Sequence, residues 1–174
     1  MMRRAFIGLL TGLLAGLSLG AAAQAVPEYT MKAAYLYNFA LLTTWPSTAR
    51  AGADFNLCLY GQDDFGPALD KLNGKDVNGQ KIQVLRLAHP EGARQCQLVF
   101  ISETDATRLR RLASVLGDAP VLTVTDEYLG HSAMISLAPE NKRLTFAINA
   151  TTAKSAQLQF SSKLMRLATQ VVTP

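Results

Sequence analysis

Cys58 and Cys96, His89 and His131, and the acidic pairs Asp63-Asp64 and Asp126-Glu127 are the side chains with which this chain could do chemistry. A thiol can serve as nucleophile, metal ligand or half of a disulfide, an imidazole as base, and two carboxylates as acid and base. None of these residues has the neighbours that such roles need. Neither cysteine lies in a CxxC or a metal-ligand spacing, and neither has a base beside it. His89 precedes Pro90 and His131 follows Gly130, so both read as loop histidines. Adjacent carboxylates point in different directions, which favours capping and solvation over shared catalysis. Past the apolar N-terminal run, where Gly16 to Gly20 matches GxSxG without a strand before it, the chain contains no GxSxG elbow, and it has no HExxH, no GxxxxGK[ST] loop and no GxGxxG after a strand. The expectation is a protein that is not an enzyme and that carries neither metal nor cofactor.

Three further patterns have ordinary readings. Arg108, Arg110 and Arg111 form the polar side of an amphipathic helix whose apolar stripe is Leu109, Leu112 and Leu116. Asn149-Ala150-Thr151 matches a glycosylation sequon but reads better as a strand end followed by a helix cap. Tyr35, Tyr37, Phe39 and Trp45 follow a helical phase without interleaved Lys or Arg, which favours packing over base stacking.

The elements that must position these residues follow from periodicity. Glu28 to Thr44 is helical and ends at Trp45-Pro46, because the residue before proline is pushed out of the helical region. Within Ala33 to Leu42 the clearly polar residue is Asn38, so the helix is apolar all round and must be buried in a core or an interface. Phe55 to Tyr60 is a strand closed by Gly61, followed by a helix from Phe65 to Leu72. Strands follow at Ile82 to Leu87, Leu98 to Ile101 and Val121 to Val124, with the arginine-bearing helix before the last of them. Ala133 to Leu137 and Leu144 to Ile148 form a hairpin across residues 139–142, and a helical region runs from about Ala150 to Val171. The order β-α-β-β-α-β-β-β-α predicts a single layered α/β domain. Its sheet is mixed and partly parallel, of about six strands, with helices on both faces and an antiparallel hairpin at its edge.

The N-terminus fixes the compartment. Met1 to Arg4 is a basic start, Ala5 to Leu19 is uncharged and mostly apolar, and Ala23-Gln24-Ala25 has the small-x-small form of a cleavage site. Residues 1–25 are expected to be a cleaved signal peptide and residues 26–174 the exported domain. That mature part is expected to be exported, with no later segment able to insert in a membrane. The 17 basic and 13 acidic residues give a net charge of +4. Losing Arg3 and Arg4 with the leader leaves about +2, too little to suggest a nucleic-acid partner. In an oxidising space the two cysteines read as a structural disulfide, with two buried free thiols as the alternative. The bond would close a loop of about 38 residues and contribute about 4 kcal/mol in the chain-entropy account.

The ordered motifs resemble the YfiR family of periplasmic bacterial proteins. The likeness opens with Met31-Lys32-Ala33-Ala34-Tyr35-Leu36-Tyr37-Asn38-Phe39 and Trp45-Pro46. It continues through Phe55 to Gly61, Asp64-Phe65-Gly66, Cys96 to Ser102 and Val121 to Asp126. It ends with Met134-Ile135, Phe146 to Asn149 and Ser161 to Ala168, so nearly the whole mature chain is covered. The resemblance implies a regulator. Such proteins bind the periplasmic sensor domain of an inner-membrane diguanylate cyclase and repress it, lowering cyclic-di-GMP and biofilm formation. An outer-membrane lipoprotein can sequester the repressor. Two departures stand out: a second cysteine pair found in some relatives is missing here, and Ser132-Ala133 replaces the usual glycine pair.

Two surfaces are therefore candidates. The first is a partner surface on the N- and C-terminal helices, carried by Tyr35, Phe39, Leu42, Leu164 and Met165, with the cyclase sensor domain or a second copy in a homodimer as its occupant. The second is a ligand crest of Gly61, Ser102 and Asp126, each at the end of a predicted strand, where open α/β sheets bind small molecules. The crest belongs to the alternative reading, a periplasmic small-ligand receptor or an unrecognised enzyme.

Overall fold

Alternation along the central strands sorts the apolar side chains into two layers, and the fold follows from covering both. Phe55, Leu57 and Leu59 of β2 (Asp54–Gly61) and Leu98 and Phe100 of β5 (Leu98–Ser102) point into one layer. Cys58, Tyr60, Val99 and Ile101 point into the other. A strand buried on both faces reads as a continuous apolar run, and all five residues of β5 are buried.

The protein is described here from a computed structural model, over residues 27–50, 52, 54–102, 106–126, 133–140 and 143–173. The expected leader, Glu127, His131, Ser132 and residues 141–142 of the expected hairpin turn lie outside these described residues.

Four strands join β2: β5 on one side and β4 (Gln80–Leu87) on the other, then β6 (Leu122–Asp126) and β7 (Ile135–Glu140) beyond β5. All four contacts in the series β4-β2-β5-β6-β7 are parallel. Sequence order and sheet order part company between β2 and β5. The chain goes from β2 outward to β4, then crosses back to lay β5 on the other side of β2. This is a doubly wound arrangement, with its switch point at the carboxyl ends of β2 and β5.

Helices cover both faces. α1 (Glu28–Leu41) and the short α2 (Pro67–Asp70) pack on the first layer through Leu36, Phe39 and Leu69. α3 (Ala106–Leu116) packs on the second through Leu109, Leu112 and Leu116, the stripe read from the sequence. In that second layer Cys58 and Cys96 form a disulfide, with Cα atoms 6.1 Å apart. It ties β2 to the residue two places before β5.

The sheet has eight strands where about six are expected. The additional ones are β3 (Asp76–Val77) beside β4, and β10 (Gln170–Val172) beside β8 (Arg143–Asn149). The β7–β8 hairpin is antiparallel as expected, but β10 pairs parallel to β8 and takes the edge. The C-terminal region is accordingly not one helix. It divides into α4 (Ala150–Ser155), β9 (Gln159–Phe160), α5 (Ser162–Leu167) and β10. Gln157 adopts φ +58, which ends α4 in a left-handed turn, and the Ser161 side chain accepts from the Leu164 amide to start α5.

The helix read as Glu28 to Thr44 ends at Leu41, because Thr43 and Thr44 become β1 and pair antiparallel with β9. The Ser161 amide also donates to the Leu42 carbonyl at 2.9 Å. The end of α1 and the start of α5 are thus fastened to one small two-stranded ladder, from which both helices depart.

Candidate partner-binding groove and the strand-end cluster

Two helices that leave a common ladder enclose a space between them. Here it is a groove of about 350 Å³ along α1 and α5. Its lining includes Met31, Tyr35 and Phe39 of α1, Leu42 just past its end, and Leu164 and Leu167 of α5. Phe39 and Leu164 are each 1% exposed and belong to the core. Tyr35 and Leu42 are half-buried, while Leu167 is 59% exposed, the most open large apolar side chain among the described residues. Met165, named with this group from the sequence, does not line the groove and is partly buried against the core below it.

The floor is rigid for identifiable reasons. Tyr35, Phe39 and Phe146 form three mutual edge-to-face contacts, with centroids 5.0 to 5.9 Å apart. The Tyr35 hydroxyl donates to the Leu144 carbonyl at 2.9 Å. The all-round apolar character of α1 now has a physical division. Ala33, Leu36, Phe39 and Ala40 are buried, while Met31, Ala34, Tyr35 and Leu42 face the groove. Lys163 lines the α5 side, the charged residue of the lining.

At the carboxyl edge of the sheet, Gly61 and Ser102 stand side by side in the β2–β5 register, and Asp126 ends β6. Gly61 has φ +115, and a Cβ there would lie 2.8 Å from the Ser102 carbonyl oxygen. Both the backbone angle and the close approach require glycine. Gly61→Ala should lower unfolding free energy by about 1–3 kcal/mol. Urea titration measures this, and a variant as stable as the parent would refute the steric account.

Asp126 is engaged from within the chain. The Lys32 ammonium, on a side chain only 3% exposed, lies 2.6 Å from Asp126 Oδ1 and 2.5 Å from Glu28 Oε1. It also donates to Asp126 Oδ2 at 2.7 Å. Tyr29 donates to Asp64 at 3.2 Å and to Asp126 at 3.5 Å, with Lys32 stacked 4.4 Å from its ring centroid. Burial by itself pulls the Lys32 pKa down, but hydrogen bonds to Asp126 and Glu28 outweigh it and hold the group above an ordinary lysine. Burial, followed by the charges of Asp126 and Asp64, raises Tyr29.

The remaining candidates have structural duties. Asp63 accepts from the Phe65 amide at 3.0 Å and from Arg86 at 2.7 Å, and Arg86 also reaches Asp70 at 2.9 Å. Asn149 caps α4 through the Thr152 amide, as its strand-end position implied. His89 is exposed at the start of a 3-10 turn. Among the described residues no group of three or more His, Cys, Asp or Glu could hold a metal ion. No helix among them is long and apolar enough to cross a membrane.

Of the partner-surface residues named from the sequence, Tyr35, Phe39, Leu42 and Leu164 line this groove and Met165 does not. Sequence reasoning missed Lys32, because a lysine in a helix reads as solvated and its partner lies 94 positions away. It also missed Phe146, whose ring meets those of Tyr35 and Phe39 edge to face. Residues 29–169 match the protein-family model described as YfiR/HmsC-like. No curated protein matches the chain.

Proposed function

The chain belongs to the YfiR/HmsC-like family of regulators of diguanylate cyclase signalling, and we propose on that footing that it is an exported repressor. It binds the periplasmic sensor domain of a membrane-anchored diguanylate cyclase through the α1–α5 groove, lowering cyclic-di-GMP and biofilm formation. An outer-membrane lipoprotein that competes for the repressor would release the cyclase. The family is regulatory rather than catalytic in general, and repression by binding needs no chemistry from this chain.

The observation that carries this reading is the groove itself. An open apolar channel with a rigid aromatic floor and an exposed leucine at its rim offers what binding hot spots use: fixed shape and water-accessible apolar area. With a charge of about +2 on the exported part, long-range steering contributes little, so affinity must come from such contacts.

Calorimetry with the purified sensor domain tests it. Leu167→Asp places a charge at a 59% exposed site, where the fold has little to lose. It should weaken binding at least about tenfold, the equivalent of roughly 1.4 kcal/mol, and Leu42→Asp should do the same. Unchanged affinity in both folded variants would remove the groove from the interface. Phe39→Asp is unsuitable, because Phe39 is in the core.

A further inference from the structure

We propose that the buried Lys32–Asp126 pair is the positioning element that fixes α1 in the one register in which the groove against α5 exists. The inference rests on the groove reading for its functional meaning, but not for its geometry.

Burial of apolar area is by itself non-directional, and the β1–β9 ladder fastens only the C-terminal end of α1, so the rotation of its N-terminal half needs a directional contact of its own. An ion pair is directional. Lys32 lies on the buried side of α1, and its ammonium reaches both oxygens of Asp126 at 2.6 and 2.7 Å. Asp126 is itself placed by the sheet: it ends β6 and stands opposite Leu137 of β7. Sliding α1 by one turn in either direction would present Glu28 or Leu36 to Asp126 in place of Lys32. The first brings two carboxylates together, and the second leaves a mostly buried carboxylate without a cation. Every neighbouring register is therefore penalised, which is the best-attested use of a buried polar pair.

The consequence reaches the groove directly. Met31 and Tyr35 flank Lys32 on the same helix and line the groove, so whatever fixes the rotation of Lys32 also fixes theirs. The Tyr35 hydroxyl bond to Leu144 and the aromatic floor then follow from that rotation. Lys32 touches no partner in this account. It acts through α1.

The test compares shape with stability. Both native cysteines are bonded, so spin labels can be attached at Thr30→Cys on α1 and Arg166→Cys on α5, both exposed. Their separation is read by pulsed electron resonance in the parent, in Asp126→Asn and in Lys32→Met/Asp126→Leu. Asp126→Asn keeps the volume and leaves Lys32 its Glu28 contact. The double variant replaces the pair by apolar groups that can pack, so it retains cooperative unfolding.

A single narrow distance in the parent that broadens or splits in both variants is the expected result. A distance that stays narrow and unchanged in either cooperatively folding variant would overturn the inference. Calorimetry with the purified cyclase sensor domain separates the two levels. Broadened distances with affinity reduced tenfold or more support both readings. Broadened distances with unchanged affinity uphold the positioning role and remove the groove from the interface.

Discussion

Replacing Cys58 and Cys96 together by alanine is expected to lower the unfolding free energy by about 4 kcal/mol. This is the chain-entropy value for a loop of 38 residues. The bond spans β4 and the 3-10 turn, segments that in the unfolded chain would otherwise wander far from β2. Its location adds to the effect. Cys58 and Cys96 are 0% and 3% exposed in the layer under α3, so alanine also leaves unfilled space among Val99, Ile101 and Leu112. A loss of this size is a large share of the 5–15 kcal/mol typical of a domain. Urea unfolding of the oxidised parent, the reduced parent and the double variant measures it. Reduction alone should account for most of the loss, and a reduced parent within about 1 kcal/mol of the oxidised one would contradict the account.

Lys32→Met is expected to be nearly as damaging, by about 3–5 kcal/mol, because it strands Asp126 without its cation. Asp126 has a side chain only 15% exposed, so water cannot fully replace the lysine. The pH dependence has a definite sign. Lys32 and Tyr29 are both held above their ordinary values in the folded state, Lys32 by its carboxylate partners against the pull of burial, Tyr29 by burial and then by Asp126 and Asp64. Each therefore contributes stability that is complete below the unfolded values near pH 10 and is lost as pH rises through the folded ones. As pH rises above about 10, the parent should lose stability more steeply than Lys32→Met. Parallel pH profiles for the two proteins would show that the pair contributes little.

How far the sequence reaches is clear from particular residues. Leu98 to Ile101 reads as a doubly covered strand because the two layers it feeds both demand apolar groups, and every one of these residues is buried. The same logic makes the helical stripe Leu109, Leu112 and Leu116 legible. The C-terminal region fails for a local reason: a left-handed Gln157 and a three-residue strand at Gln170–Val172 carry no periodic signal. What places Val171 beside Ile148 is a parallel pairing with the open edge of the hairpin, which no local pattern in residues 170–172 announces. The groove was half legible. An apolar surplus on α1 implied two buried sides, but the ladder that joins α1 to α5 depends on pairing Thr43 with Phe160 across most of the chain. The strand-end residues Gly61, Ser102 and Asp126 were readable as a crest, whereas the lysine that reaches into it was not. A charged residue announces burial only through its partner.

Under the proposal, this protein silences a diguanylate cyclase by occupying its sensor domain through the α1–α5 groove. The most direct measurement is cellular cyclic-di-GMP in a strain lacking the gene, complemented with the parent or with Leu167→Asp at equal periplasmic abundance. Deletion should raise cyclic-di-GMP, the parent should restore the low level, and Leu167→Asp should leave it high. A low level restored equally by both proteins, or no rise on deletion, would contradict the account.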